Sequence, residues 1–157
     1  MANKILVAVD ESKNSMKAVN YVAKGMQPTG MITLFSVIPD ATAACDLDGP
    51  SLTPIFRQSR KAFCAIEDTK KDHLKAFMEK AKKVLVEAGF PSKSVTVKIR
   101  KKKSGIARDI LKEAQKGKYT TVVLGRRGLS AVKEFFFGSV SNKVVQLAKK
   151  VSVIVVY

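Results

Sequence analysis

Apolar residues along this chain follow two periods, and the switches between them mark out strands and helices. Ile5 to Val9 is a short, unbroken apolar run rich in β-branched residues, the pattern of a strand buried on both faces. Asp10, Ser12 and Ser15 follow as candidate caps, and Ala18, Val19, Val22, Ala23 and Met26 then recur at helical spacing. Gln27, Pro28, Thr29 and Gly30 break that helix, and Met31 to Ile38 reads as a second strand ended by Pro39. From Pro39 to about Phe63 no period persists. A long connection with room for a short helix is expected there, and loops of that length are often functional. Leu74, Phe77, Met78, Ala81, Leu85 and Ala88 then form one stripe of a long helix, predicted from about Ile66 to Ala88 and stopped by Gly89 and Pro91.

Val95 to Arg100 alternates like an edge strand with a basic outer face. Ser104 is the expected cap of a helix using Ile106, Ala107, Ile110, Leu111 and Ala114, with Gly117 as its stop. Thr120 to Leu124 is a fourth strand running into Gly125, Ser139 to about Lys149 a fourth helix, and Val151 to Val156 a fifth strand. Strands alternating with helices imply a parallel sheet covered on both faces, because right-handed crossovers place the helices there. The expectation is an α/β fold of one domain over residues 1–157, a doubly wound five-stranded parallel sheet with four helices. Ligands bind such sheets outside the carboxyl ends of the strands, at the switch in winding direction. The loops after Val9 and after Leu124 are therefore the ones to inspect.

Composition narrows the classes. Apolar residues make up 46% and charged residues 27% of the chain, ordinary globular usage that argues against disorder. No span approaches the roughly 20 apolar residues of a membrane helix, and the run at Ile5 to Val9 is too short for a signal-peptide core. Cys45 and Cys64 show no CxxC spacing and His73 is the single histidine, so neither a disulfide framework nor a zinc site is expected, and a reducing cytoplasm fits best. The net charge of +16 concentrates anions around the protein without choosing among nucleotides, nucleic acid and acidic lipid. At helical positions the plain reading of the lysines is a solvated outer face. GxxxxGK(S/T) is absent, as is GxGxxG after the first strand, against a P-loop ATPase and a dinucleotide oxidoreductase. Asp40, Asp46 and Asp48 lack the spacing of an EF-hand loop.

The segment after the fourth strand reads GRRGLSAVKEFFFGSVSNKV, with Gly125 and Gly128 three apart, Gly138 after nine intervening residues, and then Ser139 and Ser141. Glycine permits positive φ and close backbone approach. Ser139, Val140 and Ser141 present amides at a helix N-terminus, where an anion is favoured. The two hydroxyls add donors and Arg127 adds a charge nearby. The competing reading is a turn-rich connection whose Phe135, Phe136 and Phe137 plug the core.

This segment resembles the ATP-binding pattern of universal stress proteins, G-x2-G-x9-G-(S/T). The opening KILVAVDES, SVI at the end of the second strand, IARDIL and the closing VSVIVV are similar to that family's elements in order. The resemblance implies strand order 3-2-1-4-5, an adenine nucleotide alpha-hydrolase-like fold, and ATP bound with Mg²⁺ or Mn²⁺. It places Ala8, Val9 and Asp10 against the nucleoside, with Asp10 on ribose or near a metal, and Val37 at the adenine edge. Leu124, Gly125, Arg127, Gly128, Gly138, Ser139, Val140 and Ser141 complete the implied site. For Asp10, capping of the first helix is the competing role.

The family often has glycine and proline where this chain has Lys101 to Ile106, and proline where Lys150 and Val151 stand. The resemblance implies a cytoplasmic regulatory module that responds to nucleotide, assembled as a homodimer through Val151 to Tyr157, with its protein partner unidentified. A slow ATPase or nucleotidyl-transfer enzyme on the same site is the alternative, though no general base or second carboxylate can be named. A nucleic-acid binder has less support, since no recognition motif interleaves aromatic and basic residues.

Overall fold

The computed structural model describes residues 3–47, 49, 52–127 and 137–157. Gly128, Phe135 and Phe136 lie outside them. Five parallel strands form one sheet, β1 (Lys4–Ala8), β2 (Met31–Ile38), β3 (Val95–Lys101), β4 (Thr121–Gly125) and β5 (Ser152–Val156), in the order β3-β2-β1-β4-β5. Five α-helices accompany them: α1 (Lys13–Gly25), α2 (Thr42–Cys45), α3 (Pro54–Glu87), α4 (Ile106–Lys116) and α5 (Ser139–Leu147). The fifth, α2, lies in the connection where room for a short helix was expected, and at one turn it is too short to carry a period.

Side-chain alternation along the strands divides the core in two. Ile5, Val7, Ile32, Leu34 and Val123 meet α1 and α3 on one face, while Leu6, Ala8, Phe35, Val122 and Leu124 meet α4 and α5 on the other. Thr33 is the polar exception within β2. Its hydroxyl accepts from the Tyr119 hydroxyl at 2.8 Å and lies 2.8 Å from that of Thr96 on β3, so its burial leaves no unmet polar group.

Helix ends show where local sequence was overruled. Ser12 caps α1, accepting from the Ser15 amide at 3.1 Å. Gly89 closes α3 at φ +100°, a backbone state that costs other residues, while Ala88 is an exposed C-cap and not part of the core stripe. Ser104 does not cap α4. Gly105 is the N-cap, and Asp109 reaches back from the first turn to the amides of Lys103 and Ser104 and to the Ser104 hydroxyl.

α3 begins at Pro54, about a dozen residues before the expected start at Ile66. Thr53 caps it and Pro54 supplies a ready-made first helical φ. Only Leu74, Met78, Ala81 and Leu85 are buried along it, and Ile55, Phe56, Phe63 and Ile66 stay exposed. The early start explains why periodicity missed this half. It also carries Cys64 to Cys45 of α2, and the two form a disulfide. That bond overturns the expectation of unpaired cysteines and removes the cysteine argument for a reducing compartment. Spacing alone could not show it, because the pairing depends on α3 folding back along the connection.

Candidate functional site

The switch in winding falls between β1 and β4, whose carboxyl ends face the same rim. Beyond Ala8 the chain adds one more ladder bond, from the Val9 amide to the Phe35 carbonyl at 2.9 Å, and then turns away at Asp10. Phe35 therefore directs its backbone groups toward β1, and by strand alternation so does Val37. At Val37 β1 has already ended. Its N–H and C=O face the space that β1 vacates.

That space is a pocket lined by Ala8, Val9, Asp10, Val37, Leu124, Gly125, Arg127, Val140 and Ser141, all implicated from the sequence. Ser15, Phe35, Ser36, Ile106 and Ile110 also line it. The cavity measures about 110 Å³. Sequence reading assigned Ile106 and Ile110 to the core stripe of α4, but Ile106 remains 38% exposed because it stands at the mouth of this slot. A large aliphatic residue in the first turn of a helix beside the switch point was the available signal.

Asp10 organises the turn out of β1. Its Oδ1 accepts from the Ser12 amide at 2.9 Å and from the Ser15 hydroxyl at 2.7 Å, while Ser15 Oγ accepts from the Asp10 amide. Part of the helix-start role is therefore real, although Ser12 is the cap.

Gly125 ends β4 for a packing reason. A Cβ there would lie 2.6 Å from the carbonyl carbon and oxygen of Asn14 in α1. From Arg126 the chain departs, and it returns where the Gly138 amide donates to the Arg126 carbonyl at 2.9 Å. Gly138 is the N-cap of α5 with φ −67° and ψ 157°, extended backbone open to any residue. The expectation that Gly138 supplies a positive φ is corrected here. What it leaves out is a side chain, so no capping oxygen covers the first amides of α5. The Ser141 hydroxyl was expected to turn toward an anion, but it is buried and donates to the Gly125 carbonyl at 2.8 Å. Ser139 is exposed in the first turn and lines the adjoining crevice with Lys102, Arg108 and Lys143.

Phe137 packs edge-on against Tyr157, with ring centroids 6.2 Å apart, and the Arg126 guanidinium lies 4.7 Å from that same ring centroid. The return loop is thus anchored on the residue that follows β5. His73 is exposed on α3, away from the pocket lining.

The universal stress protein family model matches residues 1–156. The chain belongs to the universal stress protein family. It is 32% identical over 152 residues to the universal stress protein YxiE of Bacillus subtilis (strain 168), covering 94% of this chain and 95% of that one. Among solved structures it resembles the universal stress protein UspA of Lactobacillus plantarum, with TM-score 0.70 and 24% identity over 99% of this chain and 97% of that one. The same fold recurs in a universal stress protein in complex with cAMP, at TM-score 0.63 and 15% identity over 99% of this chain and 97% of that one. A universal stress protein of Archaeoglobus fulgidus in complex with dAMP gives 0.62 and 12%, over 100% of this chain and 98% of that one.

Proposed function

We propose that this universal stress protein binds ATP at the switch-point pocket and acts as a nucleotide-dependent regulatory module in the cytoplasm. The observation that carries the reading is the direct continuity between a mainly apolar slot and an N-terminus of α5 without a side-chain cap. In this reading the base lies between Val37, Ile106 and Ile110, with its edge toward the Val37 backbone. The ribose lies near Ala8, Val9 and Asp10. The phosphates meet the amides of Ser139, Val140 and Ser141, where helix-terminal donors and partial positive charge favour them. Gly125 and Leu124 form the floor, and Arg127 supplies charge beside the phosphates; the part implied for Gly128 lies outside the described residues. Family relatives captured with cAMP and dAMP support an adenine nucleotide as the ligand class.

Among the described residues no three His, Cys, Asp or Glu side chains converge. Mg²⁺ or Mn²⁺ would therefore arrive on the phosphates, with Asp10 as the one carboxylate among the described lining residues.

The module functions as a homodimer in this reading. β5 is a sheet edge whose Val153, Ile154, Val155 and Val156 are only partly buried, and pairing two copies antiparallel about a two-fold axis covers it. Mass spectrometry of ligand released from purified protein, with calorimetric titration of ATP, ADP and GTP, tests the proposal. Adenine nucleotide release and preference for ATP over GTP are expected. Equal affinity for GTP contradicts the base-reading role of Val37.

A further inference from the structure

On the opposite rim from the nucleotide pocket, a groove of about 500 Å³ runs between α4 and the segment joining α5 to β5. Arg108, Lys112, Lys118, Lys149 and Lys150 line it, and no carboxylate does among the described residues. Both acids of α4 are turned elsewhere. Glu113 is paired with Lys98 at 2.8 Å, and Asp109 is bound to Lys103 and Ser104. None of the five cations is in a salt bridge among the described residues. Arg108 and Lys112 sit four apart on one helix face, a like-charge pair that costs α4 stability.

Backbone conformation adds an independent sign. Among the described residues two non-glycine residues have positive φ, Lys118 at 53° and Lys150 at 59°, and both line this groove. Lys118 occupies the left-handed position after α4, closed by bonds from the Lys118 amide to Gln115 and from the Tyr119 amide to Ala114. Glycine is the usual occupant of such a position. Part of each lysine's value there is its attraction to the nearby helix C-terminus. Lys112 donates to the Ser104 hydroxyl at 2.6 Å and its charge acts on Asp109, and the four other cations still exceed what two helix ends neutralise.

We propose that this groove binds a linear inorganic polyphosphate. From Arg108 to Lys118 the cations extend for about 15 Å at the helical rise, so they track an elongated anion better than a single phosphate. Arg108 also lines the crevice at the N-termini of α4 and α5, where Lys102 and Lys143 continue the basic path. Single-stranded nucleic acid needs aromatic faces for its bases. The groove's aromatic residue, Tyr119, is 5% exposed and its hydroxyl is bonded to Thr33, which leaves no face for stacking.

The test is fluorescence anisotropy of labelled polyphosphate titrated with the full chain at two salt concentrations, in the presence and absence of excess ATP. Binding is expected that weakens with salt and persists in ATP. Lys118→Gly with Lys150→Gly should lower affinity by about tenfold while keeping or raising the thermal midpoint, since glycine accepts both φ values. Arg108→Gln with Lys112→Gln on the solvent face of α4 should weaken binding without touching those turns. ATP titration of each variant keeps this result separate from the nucleotide reading. Polyphosphate affinity within twofold of wild type in both variants overturns the proposal, as does tighter binding of a single-stranded oligonucleotide of matched charge that the same substitutions abolish.

Discussion

Ser141 donates its hydroxyl hydrogen to the carbonyl oxygen of Gly125 across 2.8 Å in a buried setting. The bond ties the first turn of α5 to the end of β4, so it holds the helix N-terminus in place at the rim of the pocket. Ser141→Ala removes the donor and leaves a buried acceptor, a loss of about 1 to 3 kcal/mol. Urea unfolding should show a lower midpoint. An unchanged midpoint contradicts the anchoring role.

Much of this fold was legible in local pattern because the inner strands β1, β2 and β4 bury both faces and each core helix carries one stripe. Met31–Ile38 and the order of all five strands agree with expectation. What stayed hidden depends on distant residues. The first part of α3 has no core stripe because it packs little of itself, and the Cys45–Cys64 bond exists only because that part is helical. At the pocket, glycine spacing pointed to the segment after β4, whose Gly125 and Arg127 line it, but not to the packing at Gly125 or the extended backbone at Gly138. Gly125 makes way for Asn14, and Gly138 is extended. Ser141 looked like a ligand donor because a sequence does not show which carbonyl lies beneath it.

Asp109 gives a pH-dependent prediction. Burial works to raise its pKa, but hydrogen bonds from the Lys103 and Ser104 amides and the Ser104 hydroxyl, with the charge of Lys112, outweigh it and hold the carboxyl below 3.8. A depressed folded pKa stabilises the protein above the ordinary value, and that stability is lost as pH falls through the folded one. Asp109→Asn should cost about 1 kcal/mol at neutral pH, the scale of a helix-start bond. The gap from wild type should shrink below pH 3.8. Denaturation curves at neutral pH and near pH 3 check this, and a gap that widens in acid contradicts it.

The dimer is tested at the backbone of β5. The Ser152 amide donates to the Thr120 carbonyl just before β4, and the Val156 carbonyl accepts from the Arg126 amide just after it. By alternation, Val153 and Val155 direct their N–H groups to the open edge. Val155→Pro removes one outward donor and spares the β4 ladder. Light scattering should show a dimer for the unmodified protein and a monomer for the variant. A dimer that survives the substitution places the interface elsewhere.

The central claim is that phosphate occupies the first turn of α5, and calorimetric titration of ATP into wild type and Gly138→Asp addresses it most directly. Aspartate at the N-cap would accept from the same amides and place a negative charge at the helix end. Gly138 is extended, so the backbone accepts the change, and the helix should gain a few tenths of a kcal/mol. ATP binding is expected to be clear in wild type and lost in a variant at least as stable as its parent. Equal ATP affinity in the two proteins would contradict the assignment of the phosphate site.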